Sequence, residues 1–192
     1  MNTDALKHIL KKIGNEDLVR EIASCLSPSE ISTLLLAIGR EMTDHATPQD
    51  ILKKYGTNRY VKPSKLDPVK VKETEVKMLK TARERGFSPV LLSPAGLLGS
   101  CSVVAKVDQG NVISAGRGTE LIADATNMLA IYLADGIKHK TIDNTKAPVH
   151  LAAAGRVTRG QKMKSHTLVP HFSLISLVSS GRDIGSYGFE KE

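Results

Sequence analysis

Arg156, Arg159, Lys162 and Lys164 crowd a polar stretch between two apolar runs within residues 148–178. Guanidinium and ammonium groups on such a connection suit an anion of the phosphate type. A solvated basic loop has the same composition, so both readings stand. Cys101, in Gly99-Ser100-Cys101-Ser102, could form a nucleophile and base with His150, His166 or His171. Nothing in the spacing brings these residues together, and a cysteine opening a strand is most simply a small buried side chain. Close-spaced Cys and His pairs are missing, so no metal site is expected. No phosphate-loop pattern of Gly, four residues, Gly-Lys-Ser/Thr occurs. Glu120, after Arg117-Gly118-Thr119, reads as the first-turn acid of a helix.

The elements that must position these residues are legible in the periodicity. The two apolar runs, bounded by Pro and Gly, predict strands on either side of the basic loop. Before them, Leu121, Ala125, Met128, Leu129 and Tyr132 share one face of a helix expected over 120–137, which Lys138-His139-Lys140 closes with charge that suits its dipole. Cys101 to Val107 and Asn111 to Ala115 read as a hairpin around Asp108-Gln109-Gly110. Phe87 to Leu92 reads as a short strand, and Pro89, which has no ladder donor, puts it at an edge. Asp67-Pro68 caps a longer helix ending at Gly86, with Val71, Val76, Leu79 and Ala82 as apolar positions. Its other face mixes lysines and arginines with Glu73, Glu75 and Glu84 and is expected to be solvated, with no ligand.

Residues 1–58 read as a helical accessory module. Leu6, Ile9, Leu10 and Ile13 have helical spacing, as do Leu18, Ile22, Ala23 and Leu26, and Cys25 on that second apolar face is expected in the core. Ser27-Pro28-Ser29-Glu30 is a capping box opening a third helix, and Thr47-Pro48-Gln49-Asp50 repeats the signal for a fourth, which Gly56 should stop. No helix gathers Arg, Lys, Asn and Gln on one face, so an accessory or dimerisation bundle is preferred to a helix-turn-helix. Residues 59–67, with Pro63, form the linker, and 68–192 form an α+β domain whose tail could end in a strand. The expected fold class is therefore α+β, a helical module followed by a mostly antiparallel sheet with helices.

The 192 residues carry 27 Lys and Arg against 20 Asp and Glu, and the net charge of +7 favours a nucleotide or nucleic-acid partner. Aromatic residues at 4%, with no Trp, offer few platforms for stacking single-stranded bases. Two cysteines suit a reducing compartment, and no membrane-length stretch or signal-peptide pattern is seen, so a cytoplasmic protein without membrane contact is expected.

From residue 68 the order is long helix, strand ending in Ser93-Pro94, hairpin, Arg-Gly-Thr-Glu opening a helix, then strand, basic loop and strand. This order resembles the catalytic core of class II aminoacyl-tRNA synthetases, particularly the histidyl type and its catalytically silent paralogues, over roughly residues 68–180. The segment ending at Pro94 looks like the family's first motif, which builds its dimer interface, and implies a homodimer. Pro148 to Gly155, with Arg159, Gln161 and His171-Phe172, looks like the second motif, which holds ATP with Mg2+. The resemblance implies that Arg159 is the catalytic arginine on the α-phosphate and that Phe172 lies under adenine. Gln161 stands where the family usually has Glu. Arg117, Thr119 and Glu120 resemble the segment lining the amino-acid pocket, with Glu120 as a possible ligand of the α-ammonium group. The glycine-rich third motif is not seen before Glu192, which implies a domain without the full aminoacylation machinery. The alternative is a non-catalytic regulatory module that binds RNA or a metabolite on the same scaffold.

Overall fold

The structure is a computed structural model that describes residues 3–161, 169–183 and 185–188. Lys162, Lys164 and His166 lie outside the described residues.

Four helices open the chain: α1 (Thr3–Ile13), α2 (Leu18–Cys25), α3 (Pro28–Thr43) and α4 (Pro48–Thr57). Both capping boxes form, with Ser27 and Glu30 at α3 and Thr47 and Asp50 at α4 exchanging side-chain and backbone hydrogen bonds. Each box satisfies amide groups that a helix end otherwise leaves open, which is why these starts are readable from local sequence. The boxes also hold the Glu30 and Asp50 carboxyls below their usual range, chiefly through the Ser27 and Thr47 hydroxyls. Helix α4 runs through Gly56 to Thr57 rather than stopping there. Helices α2, α3 and α4 contain no buried residue, and Cys25, expected in the core, is exposed.

Residues 59–61 form a single 3-10 turn inside the expected linker, and α5 (Pro68–Glu84) starts where Asp67 accepts the backbone N–H groups of Val69 and Lys70. Strand β1 is only Ser88–Pro89 and lies at an edge, parallel to β5. Strands β2 (Ala95–Leu97), β3 (Ser114–Ala115) and β4 (Thr119–Leu121) make a small antiparallel sheet in the order β2-β4-β3. Helix α6 (Ala125–Lys138) leads to β5 (Val149–Thr158) and β6 (His171–Ser180), ten residues each and antiparallel in continuous register from Val149↔Ser180 to Thr158↔His171. The protein is α+β, with antiparallel pairing everywhere except β1–β5.

Two expectations change here. The stretch Cys101–Val107 forms no strand; Ser100–Val104 is one wide π-type turn, entered through Gly99 at φ +93. The buried carboxylate of Glu120 collects the amides of this turn, a contact that no local pattern announces. Helix α6 starts at Ala125 because Asp124 caps it through the Thr126 N–H, and Thr119 to Leu121 is strand. In the tail, residues 185–188 are a bend and turn, and its end, where a strand is expected, lies outside the described residues.

The β5–β6 sheet has two unlike faces because side chains alternate along each strand. Leu151, Ala153 and Val157 face α6, packing with Leu129, Leu133 and Ala125. Arg156, His171 and Ser173 lie toward α5. Tyr132, expected on the apolar face of α6, is half-exposed, while Leu129 and Leu133 fill the core.

Candidate functional site

Arg159 leaves the end of β5 on the α6 side. Its backbone N–H donates to Pro170 O at 2.8 Å, which closes the base of the β5–β6 loop. Its Nε donates to Ala123 O at 3.1 Å, and Nη2 lies 3.8 Å from Oδ2 of Asp124. The guanidinium sits over Phe172, 5.2 Å from the ring centroid. A carbonyl, a carboxylate and an aromatic face thus hold it in one orientation without using all its donors. Phe172 itself packs on the cluster of Ile122, Ala125 and Val157.

Gly160 and Gln161 are pinned from two directions. Gly160 N–H donates to Asn111 O at 2.7 Å, while Arg59 Nη2 donates to Gly160 O at 3.1 Å and Gln161 O at 2.8 Å. Tyr60 Oη also donates to Gly160 O, at 2.8 Å. A Cβ at Gly160 would stand 3.2 to 3.3 Å from backbone atoms of Gly110 and Asn111, so a side chain there would push this backbone apart by a few tenths of an ångström. Arg59 and Tyr60 fall in the expected linker; an Arg-Tyr pair in an aperiodic stretch carries no spacing that would reveal partners a hundred residues away.

Glu120 is fully buried on β4. Oε1 accepts from Ser100 Oγ (2.7 Å) and Cys101 N–H (3.0 Å), and Oε2 accepts from Gly99 N–H (2.9 Å) and Gln109 Nε2 (2.9 Å). Burial, the largest single influence, favours the neutral acid. The four donors together outweigh it, and they hold the carboxyl down to about 2. To serve as a ligand for an ammonium group, Glu120 would have to exchange one of these donors. Thr119 Oγ1 donates to Gly116 O and closes the β3–β4 turn. Arg117 sits exposed at that turn with φ +64, beside a groove lined by Pro28, Ser32 and Leu36 of α3. The structure therefore brings Arg159, Phe172 and the backbone of Gln161 together, and leaves Arg117 and Thr119 on a separate hairpin turn.

Three solved structures are similar to part of this chain. A pyrrolysyl-tRNA synthetase from Desulfitobacterium hafniense is 14% identical, with a TM-score of 0.46, over 56% of this chain and 38% of its own. A second structure of that organism's pyrrolysyl-tRNA synthetase gives 14% and 0.47 over 64% and 41%. An ATP phosphoribosyltransferase regulatory subunit/histidyl-tRNA synthetase from Bacillus halodurans gives 17% and 0.45 over 62% and 31%. This chain spans less than half the length of each. No family model and no curated protein matches the sequence.

Among the described residues the thiol chemistry weighed above has no geometry to support it, and His166 lies outside them. Cys101 is buried with Val112 and Ala123, and accepts from Asn127 Nδ2 at 3.5 Å. Burial first, then the nearby Glu120 charge, pushes its thiol up, so it stays protonated near neutrality. His150 contacts Ser179 Oγ and the Phe87 ring, and His171 contacts Arg156 and Lys62 O. Among the described residues no group of three or more His, Cys, Asp or Glu could hold a metal ion, and no helix is long and apolar enough to cross a membrane.

Proposed function

We propose that residues 68–192 form a class II synthetase-like domain that binds ATP or a related nucleotide, with its Mg2+, through Arg159. The observation that carries this reading is the held guanidinium. Its Nε is fixed on Ala123 O, its head lies over Phe172, and the described residues leave terminal N–H groups for a phosphate. A planar guanidinium meets two phosphate oxygens at once and neutralises charge as it develops on phosphorus, which is the task expected of a catalytic arginine in adenylate formation. Phe172 supports Arg159 and offers its ring edge to a base, and Gln161 adds a neutral hydrogen-bonding side chain at the loop. Asp124, already capping α6, pairs with Arg159 and would help to orient it.

A second reading, a non-catalytic module binding a metabolite or RNA, is favoured by one observation. The carboxylate that would bind an amino acid's ammonium group is already occupied by four protein donors. Homodimerisation and a cytoplasmic location belong to the synthetase-like reading as proposals.

Titration calorimetry with Mg-ATP tests the site. Arg159→Ala is expected to weaken binding by about 1.5 kcal/mol or more, roughly tenfold in Kd. If the folded wild type shows no binding at millimolar Mg-ATP, the nucleotide reading is wrong. Pyrophosphate exchange dependent on an added amino acid would separate an adenylating enzyme from a binder.

A further inference from the structure

The sheet face turned away from Arg159 carries a second polar cluster between α5, the 63–66 segment and the start of β6. Arg156 and Ser173 are direct cross-strand partners, so their side chains stand side by side there. Arg156 Nη2 contacts His171 Nδ1 and donates to His171 O, while His171 Nε2 lies 2.6 Å from Lys62 O. A carbonyl can only accept, so Nε2 carries the proton, and Nδ1 takes one from the guanidinium. Arg156 Nε and Nη1 have no partner among the described residues. Across from them, Lys72 Nζ donates to Glu75 Oε2 at 2.6 Å.

Glu75, read in the sequence as part of a solvated face, leaves only 13% of its side chain exposed. Its Oε1 and the hydroxyl of Ser173 are both buried and lack a hydrogen-bond partner. Burial opposes ionisation of Glu75 most strongly, but Lys72, Ser173 and Arg156 together hold the carboxyl below its usual range. Ser173 is thus one of the groups that favour the ionised acid. A buried ionised oxygen without a donor is unfavourable and tends to recruit one.

We propose that this cleft is a second ligand site, for a small zwitterion that carries an ammonium and a carboxylate on one apolar body. The ammonium group donates to Glu75 Oε1 and to Ser173 Oγ, the two buried oxygens without a hydrogen-bond partner. The carboxylate meets the open N–H groups of Arg156. Two adjoining grooves, of about 330 and 390 Å3, share Leu66, Val71 and Ser173, and their apolar walls receive the body. A lone cation would face Lys72 and Arg156, and a lone anion would leave Glu75 unpaired, so the charge arrangement selects a ligand with both signs. The site is independent of the nucleotide reading because it uses none of the residues around Arg159.

Calorimetry on the full chain with L-leucine, L-methionine and L-valine as probes tests it. At least one is expected to bind at millimolar concentration or better. For the one that binds, the matching amine without the carboxylate and the matching carboxylic acid without the amine should each bind at least about tenfold more weakly. Arg156→Ala, at an exposed position that the fold tolerates, and Glu75→Gln should each weaken the zwitterion by about tenfold, while Arg159→Ala should leave it unchanged. Absence of binding by all three probes, equal binding of the carboxylic acid alone, or loss on Arg159→Ala with Arg156→Ala silent would each overturn the proposal.

Discussion

Glu120 shows at the level of one side chain how a buried charge is made tolerable. Its two oxygens each take two donors, and the loop from Gly99 to Gln109 exists in its present form because it must deliver them. A carboxyl held at about 2 against an ordinary value of 4.5 stabilises the fold above pH 5 by about 3 kcal/mol. The folded value is the lower one, so this stability is complete above the unfolded value and is lost as pH falls from about 5 towards 2. Urea denaturation across that range is expected to show the loss, and Glu120→Gln should flatten it. The same substitution should cost about 2–4 kcal/mol at pH 7, because an amide NH2 would confront N–H and O–H donors in a buried place. An unchanged urea midpoint would mean that the carboxylate does not organise this loop.

Between elements, the decisive connection runs from the turn at 59–61 to the root of the β5–β6 loop. Arg59 and Tyr60 fasten Gly160 from one side, and Asn111 fastens it from the other. Arg59→Ala should release the 159–161 segment, seen as faster hydrogen exchange at the Gly160 amide without a matching change in β5. Mg-ATP affinity should fall by several-fold in that variant, and little further when Arg159→Ala is added, since both act on one contact. Gly160→Ala places a methyl group 3.2 to 3.3 Å from the 110–111 backbone and should destabilise the protein by about 1–3 kcal/mol, measured by thermal unfolding. On α6, Gly136 approaches Ile142 so closely that an added Cβ would lie 2.5 Å from its side chain, and this crossing is reserved for glycine.

For the whole molecule, the helices before residue 58 and the sheet domain are stabilised differently. Ile13, Leu35, Met42 and Leu52 remain largely exposed on the former, whereas Leu129, Leu151 and Ala153 are buried in the latter. Helices that bury no face depend on capping and propensity, which rarely suffice for segments this short. A chain starting at Asn58 is therefore expected to keep the melting temperature of the full protein within a few degrees. A chain starting at Pro63 should lose more, because Arg59, Tyr60 and the Lys62 carbonyl go with it. Equal melting of the two truncated chains would show that the 59–62 segment contributes nothing to the sheet domain.

Local sequence determined the helix starts at Ser27, Thr47 and Asp67, because a cap is a contact between residues two or three apart. It also determined the long β5 and β6 strands around the basic loop, since their apolar runs bounded by Pro and Gly favour extended backbone, and the edge position of β1, since Pro89 cannot complete a ladder. Tertiary structure alone decided that Thr119 to Leu121 is strand, that Cys101 begins a turn rather than a strand, and that Glu75 faces a sheet. In each case the segment that is met lies far along the chain, Ala95 to Leu97 for β4, Glu120 for the turn and β6 for Glu75. Periodicity reports which faces are apolar, but a buried carboxylate obtains its donors from wherever the fold brings them, and that choice is made only when distant segments meet.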